Sequence, residues 1–484
     1  MANISTGNGP ERGGKRWRMP EKVYPQDTSV LNALKTPKNL NKNTPRKNVS
    51  PAGIALLKGL RDIAAKHQLG LPALIINDML DLYKKGAFDL EACKLLLTTG
   101  TVDDVVILND GGKGRLLSTV DMLATVLIEK GAWDDLKRLV ELIKPSKPIL
   151  NHALAEAAAT GNLDVGKFLI RHGAVPWCAD DTPLKNASAN GHLDFVAYLV
   201  NNHGANLKIV NYTPLVVAAG KGDVSNLKSF LDAMHIPKLP HSISCLLPAL
   251  SKKYKTLNDA LVSAAKTGSM ECLECLLTSG ASPSYLKYAS VVVAALHSSL
   301  QTVQRLLKET EKQENSLIFR ITHPFWRSDK QLALDTAVYS TLTKSLLDQE
   351  DYEMIILLLG AGANPNAKVG SNYLVMLARR KDPDNSVAEN IAEALLIYGA
   401  DPNVVVKTEN GSLTTPLEEA VCRGNNRIAK LLLAYGADPT LNDEGALKIA
   451  VVRDNKKFLE ETVKDKSLPL HIRAAALKWL KNTK

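Results

Sequence analysis

The chain has 484 residues, 45% apolar but only 5% aromatic, and a formal net charge of +10. That balance supports an extensive core built from Leu, Ala, Val and Ile, which favours helices. The absence of any run of about 18 uncharged apolar residues argues against a spanning helix, and the N-terminus lacks the apolar core of a secretory signal. Membrane attachment and export are therefore not expected, and six scattered cysteines fit a reduced, cytoplasmic protein better than a disulfide framework.

The charge is uneven. Residues 1–51 hold ten Lys or Arg against three acids, and residues 1–50 have too few apolar side chains to offset the entropy of ordering them. A disordered basic tail over 1–50 is expected. Within it Trp17 stands among Lys15, Arg16 and Arg18, a pattern compatible with nuclear import or with nucleic-acid contact through the tail alone. Thr36, Thr44 and Ser50 each precede a proline and are candidate phosphorylation sites, where each phosphate would add nearly two negative charges.

From Pro51 the pattern changes. Ile54, Leu57, Leu60, Ile63 and Ala64 recur at helical spacing, opening a helical region over 51–145 in which degenerate units are traced at 81–104 and 119–143. Downstream the chain repeats itself. "NHALAEAAATGNLDVGKFLIRHGA" from Asn151, "DTPLKNASANGHLDFVAYLVNNHGAN" from Asp181, "YTPLVVAAGKGDVSNLKSFL" from Tyr212, "NDALVSAAKTGSMECLECLLTSGASP" from Asn258 and "TPLEEAVCRGNNRIAKLLLAYGADPT" from Thr415 share one plan. A proline is tolerated in the first turn of a short Ala-rich helix, a glycine reverses the chain, and a Leu-rich second helix ends at Gly-Ala. A period near 30 residues marks units that cannot bury their apolar face alone and must stack. Weaker units are traced at 285–310, 339–366, 370–403 and 444–464. Two stretches interrupt the period, near 232–256 and over 311–338, and "SLPLHIRAAALKWL" in 467–484 reads as a closing helix. The organisation expected is thus 146–310 and 339–466 as repeats, separated by the second interruption.

These residues resemble the ankyrin-repeat family. Thr182, Pro183, Leu184, Gly191, His192, Leu199, Gly204 and Ala205 fall on its pattern. The unit from Thr415 matches equally well, with Glu418 where the family usually has histidine and Asn425 in its Gly-His slot. The resemblance implies an all-α repeat solenoid with short β-hairpin or loop connectors, and a non-enzymatic scaffold that binds a protein on its concave face. It also implies that the pair before the mid-repeat glycine faces that groove. Here those pairs supply Asn190, Lys221, Lys266, Arg379, Arg380, Arg423 and Arg453. The arginines gathered from 379 onward suit an acidic or phosphorylated segment, gripped by bidentate guanidinium contacts. The alternative reading is a nuclear, chromatin- or nucleic-acid-associated factor attached through its tail, the repeats recruiting a protein.

Chemistry finds little footing. Cys272 and Cys275 form a Cys-x-x-Cys, but both occupy apolar slots of a second helix without a second pair at metal spacing. No nucleotide, serine-hydrolase or kinase signature is present, and "GGKGR" at Gly111–Arg115 lacks the Ser or Thr of a phosphate loop. No cofactor, metal or catalytic residue is assigned.

Overall fold

A computed structural model of the chain describes residues 49–481 except 85–89, 100, 109–113, 236–247, 298, 316–324, 368, 381–385 and 409. Residues 1–48 of the expected tail, with Thr36 and Thr44, lie outside the described residues, whereas Ser50 lies within them. The chain divides into two compact units, Met1–Val210 and Asn211–Lys484.

The first unit opens with α1 (Pro51–Lys66), α2 (Gly70–Lys84) and α3 (Leu90–Thr99). Ser50 caps α1: its hydroxyl accepts the Gly53 amide at 3.1 Å, and its own amide donates to the Tyr83 hydroxyl at 3.0 Å. Two strands follow, β1 (Thr101–Leu108) and β2 (Gly114–Ser118), paired antiparallel with an irregularity between Thr101 and Val106. Three helix pairs complete the unit: α4 (Thr119–Glu129) with α5 (Trp133–Leu142), α6 (Lys147–Thr160) with α7 (Leu163–Arg171), and α8 (Cys178–Ala189) with α9 (Leu193–His203). Asp135 at the start of α5 accepts from Lys66 at 2.7 Å and from His67 at 2.8 Å, and these bonds hold its carboxyl below the usual range.

The second unit is built the same way. The pairs are α10 (Thr213–Lys221) with α11 (Val224–Met234), α12 (Pro248–Thr267) with α13 (Met270–Thr278), α14 (Tyr285–His297) with α15 (Leu300–Glu314) and α16 (Trp326–Leu342) with α17 (Gln349–Gly360). Then come α18 (Tyr373–Ala378) with α19 (Ser386–Ile397), α20 (Pro416–Arg423) with α21 (Asn426–Ala434), and α22 (Leu441–Val452) with α23 (Lys456–Lys464). A two-stranded hairpin, β3 (Val406–Lys407) and β4 (Leu413–Thr414), precedes α20, and α24 (Leu470–Leu480) closes on α22 and α23. First helices pack on first helices from α10 through α22, so small residues such as Ala218, Ala264, Ala294, Ala337, Ala378, Ala420 and Ala450 lie fully buried along one seam. Leu-rich second helices supply the rest of the core, with Leu276, Leu306, Leu358, Leu395, Leu432 and Leu459 shielded from solvent.

Side chains of first helices also tie each unit to the loop that follows it. Asn151 in the first unit and Asn258 and Asp335 in the second each accept one backbone amide, from Val175, Ser282 and Asn364 at 2.7–2.8 Å. Farther along, Asn366 and Asn403 each donate to the carbonyl of the next unit's glycine, Gly399 and Gly436, and accept the amide of Asp401 and Asp438. Reversal after α20 occurs at Gly424 with φ 72°, a left-handed conformation that costs glycine nothing.

Three helices, α8, α14 and α22, carry a left-handed turn near their start. Ala179–Asp181, Leu286–Tyr288 and Asn442–Glu444 each run through three consecutive residues with φ between 47° and 62°, none of them glycine. A left-handed turn of L-residues costs roughly 1–2 kcal/mol per residue, and the packing on either side sustains it. The interrupted stretches are in part helical. α12 begins at Pro248, which lengthens a first helix to 20 residues, and α16 spans Trp326–Leu342 across position 338.

Candidate partner-binding surface

The pairs proposed for the groove all fall at the C-terminal ends of first helices. In the first unit α6 ends at Thr160 and α8 at Ala189, with Asn190 exposed and its amide donating back to the Asn186 carbonyl at 2.9 Å. In the second unit α10 ends at exposed Lys221 and α12 at exposed Lys266 and Thr267. Because the first helices of that unit pack side by side, these ends follow one another along one edge.

The arginines of that edge are not equivalent. Arg379 is half-buried, and its guanidinium donates to Glu419 of α20 at 2.9 Å. Arg380 donates to the carbonyls of Leu342 at 3.3 Å, Lys344 at 3.0 Å and Ser345 at 2.6 Å, so it fastens the loop between α16 and α17. Arg423 is exposed and makes no hydrogen bond or ion pair among the described residues. Arg453 is exposed, with one nitrogen 3.5 Å from the Cys422 sulfur. Beside it Val452 is 82% exposed, and near the other end of this stretch Leu346 is 73% exposed. Asp348 caps α17 in a reciprocal bond with Asp351.

Neighbouring groups serve the fold. The Glu418 carboxylate is buried, accepts the Thr415 amide at 2.9 Å and receives the Asn442 amide group at 3.0 and 3.2 Å, so the residue standing in the usual histidine slot is a capping and bracing group. Cys272 lies fully buried in α13, where burial pushes its thiol up, and Cys275 is half-buried. Among the described residues no three His, Cys, Asp or Glu side chains are grouped to hold a metal ion, and no helix is long and apolar enough to cross a membrane. The left-handed turns, the β1–β2 ladder and the Glu418–Asn442 brace carry no local sequence signature that marks them. A long-range clue existed only for Glu418, which departs from the repeat pattern.

Comparison with known proteins agrees with the stacked helix pairs. Residues 154–238 match ankyrin repeats in three copies, and residues 413–444 match a further ankyrin repeat. These two stretches are ankyrin repeats, and repeats of this kind generally mediate protein–protein interactions. It is 26% identical over 281 residues to the "Ankyrin repeat and KH domain-containing protein mask-1" of Caenorhabditis elegans, a match covering 54% of this chain and 10% of that protein. The chain thus spans a small fraction of that relative's length.

Proposed function

We propose that this chain is a non-enzymatic scaffold that binds a segment of a partner protein along the first-helix edge of its second unit. The observation that carries the reading is the pair Arg423 and Arg453, exposed at the ends of adjacent packed helices with apolar Val452 beside Arg453. Exposed guanidinium groups not held by carboxylates are available for bidentate contact with carboxylate or phosphate, and Val452 offers apolar surface to a neighbouring side chain. A partner segment that alternates acidic or phosphorylated residues with apolar ones fits this edge. Arg379 and Arg380 support the surface from within rather than contacting the partner.

The test is quantitative affinity capture with the wild-type chain and with Arg423→Glu/Arg453→Glu, followed by binding measurements on the captured partners at two salt concentrations. The double variant loses a defined subset of partners, and wild-type binding to that subset weakens with salt. Identical partner sets and identical salt dependence would remove the reading. A second reading rests on the charge of residues 1–51, ten bases against three acids: attachment to nucleic acid through the tail, tested by whether deleting residues 1–48 abolishes salt-sensitive nucleic-acid binding.

A further inference from the structure

The second helices of the second unit carry a feature that the edge described above does not use. Between α17 and α19 lies a half-open pocket of about 420 Å³, lined by Tyr352, Ile356, Asn390, Glu393, Ile397 and Tyr398 among others. From the next unit the Tyr435 hydroxyl donates to Glu393 Oε1 at 3.4 Å, bringing a third phenol to the rim. Ile397 at 65% and Tyr398 at 43% exposure leave apolar and aromatic surface open to solvent.

The two helices that flank this pocket carry charge of one sign. In a chain with 60 Lys and Arg, α17 carries Glu350, Asp351 and Glu353, α19 carries Glu389 and Glu393, and neither helix has a Lys or Arg. Asp351 is buried and pairs with Lys344, Glu350 accepts the Leu300 amide, and Glu389 lies 4.0 Å from Arg427. Glu353 and Glu393 are exposed, and among the described residues the partner of Glu393 is a neutral phenol. Phenol faces attract a cation placed over them, a carboxylate beside them accepts its hydrogen bonds, and exposed isoleucine covers the methylene stem of a long basic side chain. The volume falls in the range of ligand sites, roughly 300–1,000 Å³.

We propose that this pocket receives the arginine or lysine side chain of a basic segment on a partner protein. The site is separate from the arginine edge and of opposite charge preference, so one repeat array would engage two partner segments of unlike charge. Salt weakens both, but substitutions at one leave the other intact.

The test titrates the full chain, carrying ¹³C-labelled tyrosine rings, with the capped tripeptides acetyl-Leu-Arg-Leu-amide, acetyl-Leu-Lys-Leu-amide and the citrulline counterpart of the first. The arginine and lysine peptides shift the ring resonances of Tyr352, Tyr398 and Tyr435 saturably in the range of ~1 mM, with citrulline about tenfold weaker, as loss of a charge-assisted bond implies. Glu393→Gln weakens the arginine peptide about fivefold without moving the thermal midpoint, Tyr398→Leu weakens it as well, and Arg423→Glu leaves it unchanged. Equal binding of the citrulline peptide, indifference to Glu393→Gln, or no saturable shift at ~10 mM overturns the proposal. Shifts given by spermidine but not by the peptides also overturn it, since they would identify a small-cation site.

Discussion

Gly445 lies against Glu418 so closely that a Cβ built on it would stand 1.8 Å from the Glu418 Oε1 atom. The glycine of α22 is therefore the complement of the carboxylate that braces α20. Gly445→Ala is expected to destabilise the chain by about 1–3 kcal/mol, the usual cost of overpacking a well-filled site. Glu418→Ala removes the clash but leaves the Thr415 amide without its acceptor. The two substitutions should therefore be non-additive in urea melts, and simple additivity would mean the contact carries no coupling.

Asp335 occupies the place that Asn151 and Asn258 hold in other units, each accepting a backbone amide from the following loop. Burial raises its carboxyl above the ordinary value, against bonds from the Asn364 amide and Gln331. A carboxyl with a raised folded pKa binds its proton more tightly folded than unfolded. It therefore weakens the fold at neutral pH, and that penalty fades as the pH falls through the folded pKa. Asp335→Asn should raise stability at neutral pH and flatten its pH dependence in the mildly acidic range. A variant less stable at pH 7 would show that the negative charge itself is needed.

Ala179 has φ 47° and begins a left-handed turn. Ala179→Gly is expected to be neutral or stabilising by up to about 1 kcal/mol, since relief of the left-handed cost offsets the added freedom of the unfolded chain. Ala179→Val, β-branched at positive φ, should lose more than ~1 kcal/mol. Thermal midpoints of the pair decide the matter, and equal losses would argue that the turn is not strained.

Arg380 and Arg423 sit at comparable slots but do different work. Arg380→Ala removes donors from three carbonyls and should cost about 1–3 kcal/mol. Arg423→Ala touches nothing in the fold and should stay within about 0.5 kcal/mol. Denaturant midpoints that rank the two the other way would reverse the assignment of roles.

The repeat plan was legible because it rests on local rules. Pro183, Pro214 and Pro416 sit in the first turns of helical stretches, Gly161, Gly222 and Gly424 take left-handed caps, and the Leu positions of the second helices are buried. The slot residues fall at the ends of first helices. What could not be read was which of four arginines has a partner, because Glu419 and the carbonyls of Leu342–Ser345 are 35 to 40 residues away in sequence. Likewise Tyr352, Tyr398 and Tyr435 come from three different units, and nothing in any one unit announces that they converge. The six-residue helix α18 was obscured for another reason: its residues Tyr373, Leu374, Val375, Leu377 and Ala378 are buried on nearly every side, so no amphipathic period remains.

Asn366 and Asn403 each grip the next loop with both ends of their amide, one end donating and the other accepting. Pulled apart along the direction of repetition, such a structure has its resistance concentrated in a series of discrete clasps. Each clasp opens by losing two bonds together, and once open it transfers the load to the next. The C-terminal part of this protein should therefore give under tension in steps of one repeat, and Asn→Asp at either position, which removes the donating half, should lower the force of a single step while leaving the others unchanged.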